Sequence, residues 1–102
     1  AQSLFTQAPR VDAVFCANDI MALAAIDAAK ATGISVPDDI AIIGFNDIPM
    51  ASWQSYRLTT IRQQIRLMVR ETLSMIDQIT EDPSSAGTIR MMPGRLVSRA
   101  SG

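Results

Sequence analysis

The amino-acid sequence predicts an α/β fold with a parallel βαβ core, followed by a further helix and C-terminal strands. Three features predict it. Two continuous apolar runs, VDAVFCA at 11–17 and IAIIGF at 40–45, have the composition of strands covered on both faces. Between them lies an Ala-rich stretch, 19–32, of helical length and propensity. Strand, helix and strand in that order form the crossover unit of a parallel sheet.

The boundaries of each element have physical causes. The first strand is set off by Pro9 and by Asn18-Asp19. Asn18 offers a side-chain oxygen to cap the helix, and Asp19 sits near the positive end of its dipole. Gly33 stands where a helix C-terminus favours positive φ, with Pro37 beyond. After the second strand comes an irregular stretch, 48–57, holding Pro49, Trp53 and Tyr56, and then a short β-prone segment, LTTI at 58–61. The stretch 63–80 carries Ile65, Met68, Val69, Thr72, Leu73, Ile76 and Ile79 along one stripe, with Arg66, Arg70, Ser74 and Asp77 opposite. That is the spacing of an amphipathic helix. EDPSSAG at 81–87 predicts a turn or loop, and 88–92 and 95–101 predict two strands split by Pro93-Gly94.

Composition narrows the chemistry. The 102 residues are 48% hydrophobic, the range of a folded domain rather than a disordered segment. No apolar run approaches the roughly 20 residues that span a bilayer. The chain opens at Ala1-Gln2-Ser3 without a start methionine or leader, so it is expected to be a piece of a longer protein. There is no His, which removes Ser-His and Cys-His catalysis and the common zinc constellations. Neither G-x-G-x-x-G nor a Walker motif is present, and no cofactor or metal is expected. Cys16, the single cysteine, is expected to be a buried reduced thiol. Residues 1–55 hold two basic and six acidic groups, and 56–102 hold seven basic and four acidic. The later arginines are dispersed, so the concentrated basic face of a nucleic-acid binder is missing.

Candidate binding residues lie where both strands end in the same pair, Asn18-Asp19 and Asn46-Asp47. Open α/β sheets bind ligands beyond the carboxyl ends of their strands. Amides and carboxylates there both donate and accept hydrogen bonds, which suits an uncharged polyhydroxylated ligand such as a sugar. Capping and turn formation explain the same residue types. The helix 19–32 is nearly apolar all round: Ile20, Leu23 and Ala24 lie on or beside the face marked wet by Asp27 and Lys30. Such a helix is expected to be covered twice, on its extra side by the rest of a parent domain or by a second subunit. Trp53 suits a ligand ring, a core or a subunit contact.

The run AVFCANDIMALAAIDAAKATGISVPDDIAIIGFNDIPMAS, followed by LTTIRQ and ending in LVSRAS, resembles the C-terminal third of LacI/GalR-family transcriptional regulators. The resemblance covers almost the whole chain in order. It implies a fragment of a two-lobed, type I periplasmic-binding-protein-like fold: 1–61 as the βαβ core of the C-terminal lobe, 62–87 as a crossover helix packing on the other lobe, and 88–102 as strands returning to the first. It implies a bound effector, a sugar or related polyol, contacted by Asn18 and Asn46, with their neighbours Asp19 and Asp47 and with Ile65 in the cleft. Many members have Asp where Asn46 stands, which leaves the effector's identity open. Ile20, Leu23, Ala24 and Asp27 on the first helix, with Ile48 and Trp53 in the loop after the second strand, are implied as a homodimer contact. The implied protein is cytoplasmic, is not an enzyme or a membrane protein, and reaches operator DNA only through an N-terminal helix-turn-helix outside this chain. The competing expectation is an exported sugar-binding component of a transporter with the same fold; a third, an α/β enzyme, lacks its motifs. The 63–80 helix, cut off from its partners, is expected to fold back locally or to be exchanged between molecules.

Overall fold

The computed structural model describes residues 2–6 and 9–102. In chain order it contains α1 (Gln2–Thr6), β1 (Ala13–Phe15), α2 (Asp19–Ala31), β2 (Ala41–Ile43), β3 (Thr60–Arg62), α3 (Ile65–Glu81) and β4 (Arg95–Val97), with 3-10 turns at Pro49–Ser52 and Pro83–Ser85. The chain divides into two units, one running to Arg62 and taking in Leu96–Gly102, the other covering Gln63–Arg95.

In the first unit β1 and β2 pair in parallel, with Val14 opposite Ile42 and Phe15 opposite Ile43. β2 is flanked on its other side by the segment leading into β3, through parallel bridges from Ile43 to Thr59 and from Asn46 to Arg62. The predicted βαβ core is thus present, but each apolar run contributes only three residues of strand. β1 departs from the expectation of a strand covered on both faces. Ala13 and Phe15 face solvent, Phe15 at 61% exposure, whereas Val14 turns inward. Phe15 stands instead at the rim of an open hollow that Leu4 and Met21 also line. Residues 88–92, expected as a strand, run without strand pairing, and only β4 forms, beside β3.

α2 begins and ends as its sequence dictates. Asn18 takes extended backbone angles and its Oδ1 accepts a hydrogen bond from Met21 N at 2.9 Å. At the other end Gly33 adopts φ +74 and Ile34 N donates back to Ala29 O at 2.9 Å, the left-handed exit that a Cβ would strain. The inner face of α2 supplies Ala22, Leu23, Ala25, Ile26 and Ala29 to a core completed by Ile40, Ile42, Ala51 and Leu58. Small side chains let the helix approach the sheet closely. At Gly44 a Cβ would run into Asp19 Oδ1 and come within 3.0 Å of Leu58 and 3.2 Å of Ala22, so only glycine fits between helix and sheet.

The chain terminus completes the unit. Ser101 is fully buried, and its Oγ donates to Ile42 O at 2.6 Å while accepting from Thr59 N at 2.8 Å. Its carbonyl in turn accepts from Ile42 N at 2.8 Å. This one residue satisfies backbone groups of two segments that are far apart in sequence.

The second unit is α3 and the segment that returns along it. Arg90 donates from Nη1 to Glu71 Oε2 at 2.6 Å and from Nη2 to Gln78 Oε1 at 2.9 Å, one polar face of α3. Gln64 Nε2 donates to Pro93 O at 3.0 Å. The helix forms where its periodicity predicts, yet none of its residues is buried. Ile65, Val69, Leu73 and Ile76 are each more than half exposed. The returning segment covers the polar face, so local folding back leaves the apolar stripe open.

Candidate functional site

Parallel pairing brings the two Asn-Asp pairs to one edge. Asn18 and Asn46 each stand three residues beyond a paired position, Phe15 and Ile43. Asp19 N donates to Phe45 O at 3.1 Å, which ties the two tips together. Arg62, bridged to Asn46, brings the end of β3 to the same edge.

The four side chains differ sharply in what they offer. Asn18 is half-buried; its oxygen is engaged by the helix cap, and its amide nitrogen carries the donors. Asn46 is exposed, with its backbone held at φ 126 and its N–H donating to Ile61 O at 2.9 Å. Asp19 does not fit the expectation of a ligand-facing carboxyl. It is 0% exposed, with Oδ1 accepting from Thr60 Oγ1 at 2.6 Å and Oδ2 from Ile48 N at 2.8 Å. Both oxygens thereby brace the loop after β2 and the start of β3 against the helix N-terminus. Asp47, at φ 62, is also turned away from solute. Its Oδ2 accepts from Arg62 Nε at 2.7 Å and its Oδ1 faces Arg99 Nη2 at 2.9 Å, with 8% of its side chain exposed. Burial alone would push this carboxyl up, but the hydrogen bonds and charges of Arg62 and Arg99 outweigh it and hold the group below the ordinary carboxylate value. Sequence spacing could place these two carboxyls at the edge but not reveal that they turn inward. The fifth expected contact, Ile65, belongs to the second unit, where it is exposed beside Met68, Val69, Thr72 and Leu73.

The apolar α2 surface is part outside and part inside. Ile20 is 58% exposed, Ala24 and Asp27 are exposed, and Trp53 is 55% exposed, while Ile48 is half-buried. Leu23 departs from the expectation of an outward-facing side chain: it is buried in the core of its own chain. Asp27 accepts from Tyr56 Oη at 3.1 Å and Lys30 Nζ bonds Ser55 O, so the loop is held against α2. Cys16 is buried and free, and burial pushes its thiol up, away from nucleophilic use. Among the described residues no cluster of His, Cys, Asp or Glu could hold a metal ion, and no helix is long and apolar enough to cross a membrane.

A parallel α/β edge with two amide-bearing tips, on a chain that continues into a second unit, defines a fragment of a periplasmic-binding-protein-like fold. The chain belongs to the periplasmic binding protein-like domain family, which it matches over residues 1–102. Among curated proteins it is similar to the HTH-type transcriptional repressor PurR of Photorhabdus laumondii, 41% identical over 96% of this chain and 29% of that protein. The HTH-type transcriptional regulator CelR of Thermobifida fusca is 35% identical over 99% of this chain and 30% of that protein. The chain thus spans about three tenths of the length of these relatives. Among solved structures, a CelR–cellobiose complex superposes with a TM-score of 0.81 at 36% identity, covering 99% of this chain and 31% of that one. A LacI family regulator of Lactobacillus casei with bound sucrose gives 0.79 at 31% identity, covering 99% and 38%.

Proposed function

We propose that this chain is the effector-sensing and dimerisation part of a LacI/GalR-type transcriptional regulator, whose effector is a sugar or related polyol. The observation that carries the proposal is the common edge holding Asn18 and Asn46, whose amides suit hydrogen bonding to hydroxyl groups without adding charge. Asp19 and Asp47 are given supporting roles instead of ligand contacts, because their oxygens are already engaged within the chain. Support also comes from the relatives, which are transcriptional regulators, and from structural neighbours whose complexes contain cellobiose or sucrose. The same relatives favour a regulator over a transporter component.

The full-length regulator acts in the cytoplasm as a homodimer, joined through Ile20, Ala24, Asp27, Ile48 and Trp53. Operator DNA is read by a helix-turn-helix outside this chain. Effector and operator occupancy are linked by one coupling free energy, so each alters the affinity for the other by the same factor.

The test is calorimetric titration of the full-length regulator with cellobiose, sucrose and glucose. Asn18→Asp keeps the capping oxygen and removes the amide donors; Asn46→Ala removes the second amide. Each is expected to weaken the bound sugar about tenfold or more, the scale of one lost hydrogen bond to a ligand. Unchanged affinity in both variants refutes the assignment of the edge.

A further inference from the structure

We propose that Asp47 is a positioning residue that holds Asn46 in the backbone conformation its tip requires, through a clamp to Arg62 and Arg99. Two consecutive non-glycine residues, Asn46 at φ 126 and Asp47 at φ 62, occupy the region that L side chains rarely adopt. Such a pair persists only where its surroundings over-determine it. Asp47 supplies that constraint with both oxygens.

Arg62 Nε reaches Oδ2 from the end of β3, at 2.7 Å, and Arg99 Nη2 reaches Oδ1 from the C-terminal segment, at 2.9 Å. Arg99 is itself fixed. Its Nη1 donates to Leu58 O at 2.9 Å, its backbone N–H donates to Thr59 Oγ1 at 2.9 Å, and its side chain is 19% exposed. Arg62 is more than half exposed and contributes less, since water screens its charge. The turn is therefore anchored chiefly to a rigid side chain from the far end of the chain. A ligand group could reach the Asp47 carboxylate only by displacing an arginine. The residue therefore acts on the edge through Asn46 and not by touching the solute. This assignment rests on the reading of Asn46 as an effector contact, and the experiment separates the two.

Selective asparagine labelling of the full-length regulator gives an NMR probe at Asn46 and a reference at Asn18, the two signals being assigned by their loss in Asn46→Ala and Asn18→Asp. The signal added by Asp47→Asn is recognised by its survival in the double variant with Asn46→Ala. The Cα and Cβ shifts of Asn46 report its φ, and exchange of its amide reports the bond to Ile61 O. Asp47→Asn is expected to move the Asn46 shifts towards ordinary negative φ and to speed its amide exchange at least tenfold. The Asn18 signals should stay in place, and cellobiose, sucrose or glucose, whichever binds the parent, should bind about tenfold more weakly. Arg99→Gln should reproduce most of this and Arg62→Gln a smaller part.

Unchanged Asn46 shifts and exchange in Asp47→Asn overturn the proposal whatever the sugar does. A loss of sugar affinity with Asn46 undisturbed means that Asp47 contacts the ligand itself, which also overturns it. Equal disturbance at Asn18 marks general unfolding in place of local positioning and counts the same way. If Asn46 moves as expected but Asn46→Ala binds sugar like the parent, the clamp stands and the effector reading falls.

Discussion

Asp19 distinguishes a structural brace from a ligand contact, and replacing it separates the two. In Asp19→Ala, the hydroxyl of fully buried Thr60 and the N–H of half-buried Ile48 both lose their acceptor. A buried polar group left unpaired costs about 1–3 kcal/mol. Thr60 belongs near the middle of that range and Ile48, which water can partly reach, near the bottom, so the loss is about 3 kcal/mol. In the larger effector domain of which this chain is part, that lowers Tm by of order 10 °C. Asp19→Asn keeps the shape: its carbonyl still accepts from Ile48 N, and its amide can donate to the Thr60 oxygen as that hydroxyl rotates. Its loss should be about 1 kcal/mol. Gly44→Ala attacks the same point from the other side by driving a methyl group into Asp19 Oδ1, and belongs with the larger loss. Urea unfolding followed by circular dichroism gives the ordering, with unchanged m-values showing that the native state is perturbed rather than the denatured one. If Asp19→Ala melts within about 2 °C of the parent while sugar affinity collapses, the brace is wrong and the residue faces solute.

Other perturbations follow from the same geometry. Ser101→Ala leaves Thr59 N without an acceptor and removes a donor from Ile42 O, both beside buried positions, and should cost about 2 kcal/mol by urea unfolding; a neutral result refutes its bridging role. Because Asp47 has a folded-state value below its unfolded one, its stabilisation is present above the unfolded carboxylate value of about 3.9 and disappears as pH falls through the folded value. The stability advantage of the parent over Asp47→Asn should therefore hold from pH 8 to 5 and vanish at strongly acid pH; an advantage that persists there contradicts the ion-pair account. Cys16, buried with a raised pKa, should react with a thiol reagent at pH 8 far more slowly in the native state than in urea, and equal rates refute its burial.

The sequence by itself determined what depends on neighbours along the chain. Asn18 caps α2 and Gly33 ends it because capping and left-handed exits are decided within four residues. The helical stripe from Ile65 to Ile79 is legible because helical period is local, and the common edge of Asn18 and Asn46 follows from two strands joined by one helix. Tertiary structure alone decided which way each group faces. α2 is apolar nearly all round, so periodicity could not say that Leu23 goes inward while Ile20 stays out. Asp19 has its partner 41 residues away at Thr60, and Asp47 has its partners on other segments at Arg62 and Arg99, so no local rule connects them. Strand pairing is equally non-local, which is why 88–92 has strand composition but no strand. A β-prone segment becomes a strand only when a partner with unpaired backbone groups lies beside it.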